Sequence, residues 1–329
     1  MTLSGDNELK RLGEFGFIDT FTRTLRAGPD VELGPGDDCA LVRVDTGRML
    51  LSADASVEDV HFRRNWGARN IGWRAMASAL SDIAAMGGKP LAALASVALP
   101  PDLPDGYALD LCAGLAEAAE AVDACLVGGD VVRSPHRLFI DALVTGQPTA
   151  GRVLTRGAAR PGDLVAVTGA PGLAAAGVAA LERNLSLPDS IRTATLRPQP
   201  RIALGQALAA LDGVRAAIDV SDGLLRDLGH IARRGGVQIH LETALLPVPS
   251  ELAVLCASLK LSPLDCVLTG GEAYELAVTV TPEAWDLASR AAENLGIALR
   301  RIGIVVEGSP AVLVDGALPS SRPGFDHFG

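Results

Sequence analysis

In the first half of the chain, short apolar runs alternate with longer stretches whose apolar residues recur every three or four positions. The first pattern suits a buried strand and the second a helix packed along one face. Residues 9–28 read as a helix, with Leu12, Phe15, Ile18, Phe21, Thr22 and Leu25 at helical steps and Gly28-Pro29 as its stop. Met49-Leu50-Leu51-Ser52 is a short strand running into Ala53-Asp54. Residues 71–88 form an alanine-rich helix closed by Gly87-Gly88, apolar on most sides and so expected to be buried. A strand over 91–99, stopped by Pro100-Pro101, precedes a second alanine-rich helix over 107–122. Residues 124–130 give strand, glycine pair and Asp130, and 138–146 give another strand.

The pattern breaks at Pro148. We place a domain boundary there, giving domains 1–147 and 148–329, the size expected of two cores in a chain of 329 residues. The second half predicts strands over 164–168, 236–241, 276–280, 301–306 and 311–314, with helices over 173–181, 201–211 and 252–259. Alternating strands and helices in both halves mark an α/β protein.

Composition narrows the function. No window approaches the roughly 18 apolar residues of a membrane span, and residues 1–10 are polar, without the apolar core of a signal peptide. A cytoplasmic, membrane-free protein follows by default. Net charge is −10 with no block of Lys or Arg, so nucleic acid is not the expected partner. The five cysteines are scattered without C-x-x-C spacing and read as small buried apolar residues. The Gly169-Ala170-Pro171-Gly172 loop ahead of a helix suits phosphate, but it lacks Gly-Lys-Ser/Thr, and G-x-G-x-x-G is absent. P-loop and dinucleotide-binding folds are therefore not indicated.

Aspartates supply the chemistry. Asp37/Asp38, Asp54, Asp82, Asp130 and Asp219/Asp222 each follow a short apolar element and small residues. At Asp219-Val220-Ser221-Asp222-Gly223, Ser221 or Asp222 is placed to cap the helix that follows. The same residues suit a divalent cation that holds nucleotide phosphates, and the cluster alone leaves both readings open. Asp82 lies inside the buried helix, where an acid without a partner is expensive. Mg²⁺ takes one or two carboxylates together with water and substrate phosphates. Single aspartates from several elements therefore suit several ions along a phosphate chain better than one closed site. His61, alone in a half-apolar segment, is structural unless its neighbours agree.

These motifs, in order, resemble the thiamine-monophosphate kinase family, within the superfamily of aminoimidazole ribonucleotide synthetase and selenophosphate synthetase. They include Gly13-Glu14-Phe15, Gly36-Asp37-Asp38-Cys39-Ala40, Asp54 to His61-Phe62, and Ser81-Asp82-Ile83-Ala84-Ala85-Met86-Gly87. They continue with Gly128-Gly129-Asp130, Leu154-Thr155-Arg156, residues 218–224, Gly270-Gly271-Glu272 and Gly324-Phe325-Asp326-His327-Phe328. The resemblance implies an α+β type of two-domain fold, with an N-terminal domain that forms a dimer barrel with its twin and a C-terminal α/β domain. It implies ATP-dependent phosphorylation of thiamine monophosphate to thiamine diphosphate, the last step of that biosynthesis, in a cytoplasmic homodimer. Another ATP-dependent ligase or small-molecule kinase of the superfamily is the alternative.

Carried over by motif, Asp38, Ser52, Ala53, Asp54, Asp82, Asp130, Asp219 and Asp222 would hold several Mg²⁺ ions, Ala53 through its carbonyl. Gly129, Asp130, Arg156 and Ser221 would contact ATP, while His61, Glu272 and Phe325 would hold thiamine monophosphate. Asp130, Asp222 and Arg156 would form the transfer scaffold, with no general base. The chain departs from the family at Ala273, where aspartate is usual, at Val131-Val132, where two hydroxyls are lost, and at Phe325, where Tyr or Trp is common.

Overall fold

The computed structural model describes residues 16, 18, 20, 22–23, 28–45, 47–149, 151–319 and 324–325. Residues 16, 18, 20 and 22 are helical and 23 and 28 are not; the other residues of the helix expected over 9–28, and Asp326-His327-Phe328, lie outside the described residues.

The first sheet holds β1 (Val31–Leu33), β2 (Ala40–Val44), β3 (Gly47–Val57), β4 (Gly88–Leu99), β5 (Cys125–Arg133) and β6 (Phe139–Pro148), in the order β1-β2-β3-β6-β4-β5. All its pairs are antiparallel except β4 with β5. Helices α1 (Ala68–Ala85) and α2 (Tyr107–Glu120) cover one face. They cross backbone to backbone at Gly72 and Gly114: a methyl group on either would lie 2.0 Å from the other helix's carbonyl, at Leu111 or Arg69. β5 is longer than expected, running through Gly128-Gly129-Asp130 as an exposed edge strand. The glycine pair is therefore extended backbone within the strand and not its end.

The second sheet holds β7 (Leu164–Thr168), β8 (Val214–Val220), β9 (Gln238–Leu241), β10 (Glu275–Val280), β11 (Leu299–Val306) and β12 (Ala311–Val314), in the order β12-β9-β11-β7-β10-β8. Only β12 with β9 is parallel. Around it lie α3 (Leu173–Leu181), α4 (Asp189–Leu196), α5 (Ile202–Ala209), α6 (Leu224–Gly235), α7 (Ser250–Leu259), α8 (Pro263–Thr269) and α9 (Trp285–Asn294). Three of these helices carry weak sequence signals. The α4 segment is mostly polar, α9 buries mainly alanines, and α8 is announced only by the cap of Ser262, which accepts from the Asp265 amide at 3.2 Å.

α1 is buried on nearly every side because it lies between the sheets. Its Ile71, Met76, Leu80 and Ile83 share one core with Leu50 and Val144 of the first sheet and with Ala217 and Leu276 of the second. A charge on this helix is thereby held at the junction of the two halves. Among the described residues no single helix is long and apolar enough to cross a membrane. Cys39, Cys256 and Cys266 are buried as expected, whereas Cys112 is half-buried and Cys125, on the edge strand, is exposed.

Candidate functional site

Three elements bring their acids to one point: the loop before β2 brings Asp38, the last turn of α1 Asp82, and the end of β8 Asp219. One carboxylate oxygen from each lies within 4.8 Å of the others. The Ser52 hydroxyl, from β3, donates to Asp82. The Arg156 guanidinium grips Asp38 with both arms, at 3.0 and 2.9 Å, and its backbone N–H donates to Asp37 at 2.6 Å. Asp54 reaches the same region from farther along β3.

Their electrostatics are unfavourable without a counter-charge. Burial, then the charges of Asp219, Asp38 and Asp54, push the Asp82 carboxyl well above the usual range. Burial and Asp38 raise Asp219, against the opposing Ser81 hydroxyl and Arg156. Asp54 is raised to about 6, chiefly by burial, with the Ser78 hydroxyl opposing and Glu272, Asp222 and Asp141 adding repulsion. Burial alone would depress the Arg156 guanidinium, but Asp38, Asp219 and Asp82 outweigh it and hold the charge firmly. One arginine faces several carboxylates. An all-oxygen donor set of this sign suits a hard divalent cation.

The turn after β8 corrects one expectation. Neither Ser221 nor Asp222 caps α6, whose N-cap position is Gly223 with no side-chain cap. Instead one oxygen of the buried Asp227, inside the first turn, accepts from the Ser221, Asp222 and Gly223 amides at 3.1, 3.2 and 3.1 Å. The turn is thus shaped from within the helix. Asp222 is left to face Arg226 at 3.6 Å.

Beside the carboxylates opens a cavity of about 640 Å³, and His61, Asp54, Ser221, Asp222, Glu272 and Phe325 all line it. The Val57 amide donates to His61 Nδ1 at 3.0 Å, which leaves the proton of the neutral ring on Nε2. Glu272 adopts a left-handed backbone (φ 66°), and its N–H donates to the Ser221 carbonyl at 2.6 Å. Its carboxylate accepts from Arg74 of α1 and from the Tyr274 hydroxyl at 3.4 Å. The Phe325 N–H donates to the Asp222 carbonyl at 3.0 Å, and Arg226 donates to the Phe325 carbonyl. Three chain segments therefore lie backbone against backbone. A methyl group at Gly271 would come within 2.5 Å of the Ser221 carbonyl, and one at Gly324 within 2.4 Å of Asp222.

Residues 36–147 match the N-terminal domain of AIR synthase related proteins, and residues 160–315 match the C-terminal domain. A thiamine-monophosphate kinase of Mycobacterium tuberculosis is 36% identical over 98% of this chain and 93% of its own. The chain belongs to the thiamine-monophosphate kinase family. The Escherichia coli K12 member is 35% identical, covering 96% of this chain and 98% of its own. The structure of AaThiL complexed with AMPPCP and TMP superposes with a TM-score of 0.86 at 33% identity, over 97% of this chain and 98% of that one.

Not all the family positions converge in a single chain. Asp38, Ser52, Asp54, Asp82 and Asp219 gather around the cluster, and Arg156 joins them. Asp130 does not. Strand register runs Ala55, Asp141, Ser96, Asp130 across β3, β6, β4 and β5, so Asp130 stands three strands away, about 14 Å of sheet width. It is exposed, and its carboxylate accepts from the Val131 amide at 2.9 Å. Gly129, beside it, packs where a methyl group would strike the Ala95 carbonyl at 1.8 Å. Ala53 is exposed on β3 two residues past the end of the β2 pairing at Leu51, so alternate carbonyls there face an edge without a strand partner.

Two residues of this thiamine-monophosphate kinase family member were not singled out from sequence. Arg74, only 5% exposed, sits behind the cavity wall over the Trp66 ring at 5.2 Å and links Glu272 to the Thr195 carbonyl. An arginine within the apolar stretch of a helix carries the same signal that marked Asp82. Asp227 shapes the Ser221-Asp222 turn, and nothing in its spacing separates it from an ordinary helix-start acid.

Proposed function

We propose that the chain catalyses ATP-dependent phosphorylation of thiamine monophosphate to thiamine diphosphate. The observation that carries this reading is convergence: His61, Glu272 and Phe325 come from three distant parts of the sequence and line one cavity with Asp54, Ser221 and Asp222. The reaction breaks the bond from the γ-phosphorus to the bridging oxygen of ATP and forms one to a phosphate oxygen of thiamine monophosphate, releasing ADP. That acceptor has a second pKa near 6 and is largely anionic at neutral pH, so no general base is needed. Catalysis is alignment and charge neutralisation.

In this scheme Glu272 and the Phe325 ring face the cationic substrate rings, and His61 Nε2–H offers a donor. Arg156 and the Ser221 turn, held by Asp227, position the ATP phosphates. Asp38, Ser52, Asp54, Asp82, Asp219 and Asp222, with Asp130 at the far edge and the Ala53 carbonyl, would hold several Mg²⁺ ions. Bound there, Mg²⁺ supplies the positive charge that lets two anionic substrates approach each other. Incubation with Mg-ATP and thiamine monophosphate, followed by chromatography, should yield thiamine diphosphate and ADP in equal amounts. Absence of thiamine diphosphate overturns the reading.

The same scheme takes the protein as a cytoplasmic homodimer with its domain boundary at 147/148. Its support is the open face and outer edge strand of the first sheet, where Leu91, Leu94, Val127, Val131, Val132 and Leu143 are all at least 38% exposed. An apolar face of this kind is ordinarily covered. Pairing through it would also bury the edge that carries Asp130. Sedimentation should give a dimer, and Val131→Lys a monomer with lost turnover; a wild-type monomer with full activity rules the dimer out.

A further inference from the structure

A second cavity, of about 530 Å³, lies between α3, α4 and the start of β10. Arg197, Arg201 and Arg300 line it, and Glu275 is its only acid among the described residues. In a chain of net charge −10 such a surface is unusual. Arg201 is fixed from behind: Glu275 accepts from it at 2.7 and 2.5 Å and also accepts from the Thr168 hydroxyl at 2.5 Å. Arg197 is held by Asn70 and Glu117, each at 3.1 Å, and lies over the Trp73 ring at 5.0 Å. Arg300 is exposed, with no carboxylate in ion-pair range among the described residues. One carboxylate thus leaves the cavity cationic, and the protein partners of Arg197 and Arg201 take their Nε and Nη2 groups, with no hydrogen bond from Nη1 among the described residues.

The rest of the lining gives the ligand its shape. Ser190 and Thr193 add hydroxyl residues to the lining, while Leu173, Leu246 and Val248 provide apolar wall. The volume lies within the range of small-molecule sites and far exceeds an inorganic phosphate. We infer that this cavity is a binding site for a phosphate monoester with a compact apolar body, separate from the site proposed for phosphoryl transfer. Its guanidiniums hold the phosphate as they do wherever planar, bidentate recognition is needed.

The position of Ala273 agrees. It lines this cavity, and the family's usual aspartate there would introduce a second acid beside Glu275. Ala273→Asp is therefore a variant that reduces the positive excess, to two acids against three arginines.

The test is titration of phenyl phosphate into the full chain in EDTA, where the acidic cavity repels anions. Binding is followed by calorimetry and by tryptophan fluorescence, since the Trp73 indole donates to the Pro198 carbonyl at 2.8 Å beside Arg197. Saturable binding is expected, weakened at least about tenfold by Arg300→Ala and by Ala273→Asp, each with an unchanged thermal midpoint. His61→Ala, in the other cavity, should leave the affinity as it is. Inorganic phosphate should bind several-fold more weakly, for want of the apolar contacts. No saturable binding, binding indifferent to both cavity variants, binding lost with His61→Ala, or equal affinity for phosphate and phenyl phosphate each overturns the assignment.

Discussion

The two cavities share walls yet carry opposite charge. Asp54, Asp59, Glu182, Asp222 and Glu272 line the larger, against Arg63 and His61; three arginines and Glu275 line the smaller. The segment between them explains how one stretch of chain serves both. Glu272 and Tyr274 line the larger cavity, Ala273 and Glu275 the smaller, because left-handed backbone at Glu272 and Tyr274 (φ 66° and 51°) turns the chain between them. α3 divides similarly, with Leu173 and Ala174 on one side and Ala175 and Val178 on the other. Charge is therefore sorted by which side of a shared wall a residue faces. In the smaller cavity each fixed arginine has a protein carboxylate partner; in the larger, arginines partner every carboxylate but Asp54, and it is the adjoining cluster of Asp38, Asp82 and Asp219, facing Arg156, whose excess of carboxylates a ligand or metal must balance.

The largest expected effect comes from breaking that imbalance. Asp219→Asn should reduce turnover by roughly 10²–10³-fold, because a ligand of the charge scaffold is lost. In EDTA the same variant should melt higher than wild type, since one of three crowded buried carboxylates no longer repels the others. A lower melting point would show that the cluster is not strained in the metal-free protein.

Arg74 joins the two cavities: one arm donates to Glu272, the other to the Thr195 carbonyl of α4, whose Thr193 lines the smaller cavity. Arg74→Met should raise KM for thiamine monophosphate by about 10–100-fold, the usual penalty for losing a partner behind a binding group. KM for ATP should change little. An equal rise in both constants would mean general loosening and not loss of Glu272 placement.

The smallest effect is on stability against pH. Asp54 titrates at about 6 in the folded chain against an ordinary value of 3.8, so the folded state binds this proton more tightly. Its contribution is then favourable at low pH and is lost as pH rises from about 4 to 6. In EDTA, the difference in thermal midpoint between Asp54→Asn and wild type should grow by roughly 2–5 °C over that interval and be constant above it. Mg²⁺ should shrink it. A difference independent of pH would remove the buried-carboxylate account.

Much of this arrangement was legible in the residues. Strand β7 and helix α3 have the bounds expected from apolar runs between glycines, and Asp219 stands near the end of β8 as expected. The acid inside an apolar helix singled out Asp82, because an unpartnered buried charge is expensive, and its carboxylate meets Asp38, Asp219 and Ser52 at the junction of the two halves. The Ser221 and Asp222 cap was misplaced for a physical reason. Cap preferences are local, and Asp227, four positions beyond Gly223, satisfies three amides at once from inside the helix. The helices α4 and α9 were missed because their periodicity rests on few large apolar residues.

By itself the sequence determined most of the elements, the buried helix and the inventory of aspartates, since period, glycine stops and the expense of a buried charge all act within a few residues. Only the tertiary structure decided which aspartates meet. Asp38, Asp82 and Asp219 converge because α1 is clasped between two sheets, while strand order sets Asp130 apart. It alone revealed a cationic cavity behind an acidic one. Spacing along the chain cannot say which residues share a wall, because sheet pairing and helix packing set distances between residues more than a hundred positions apart.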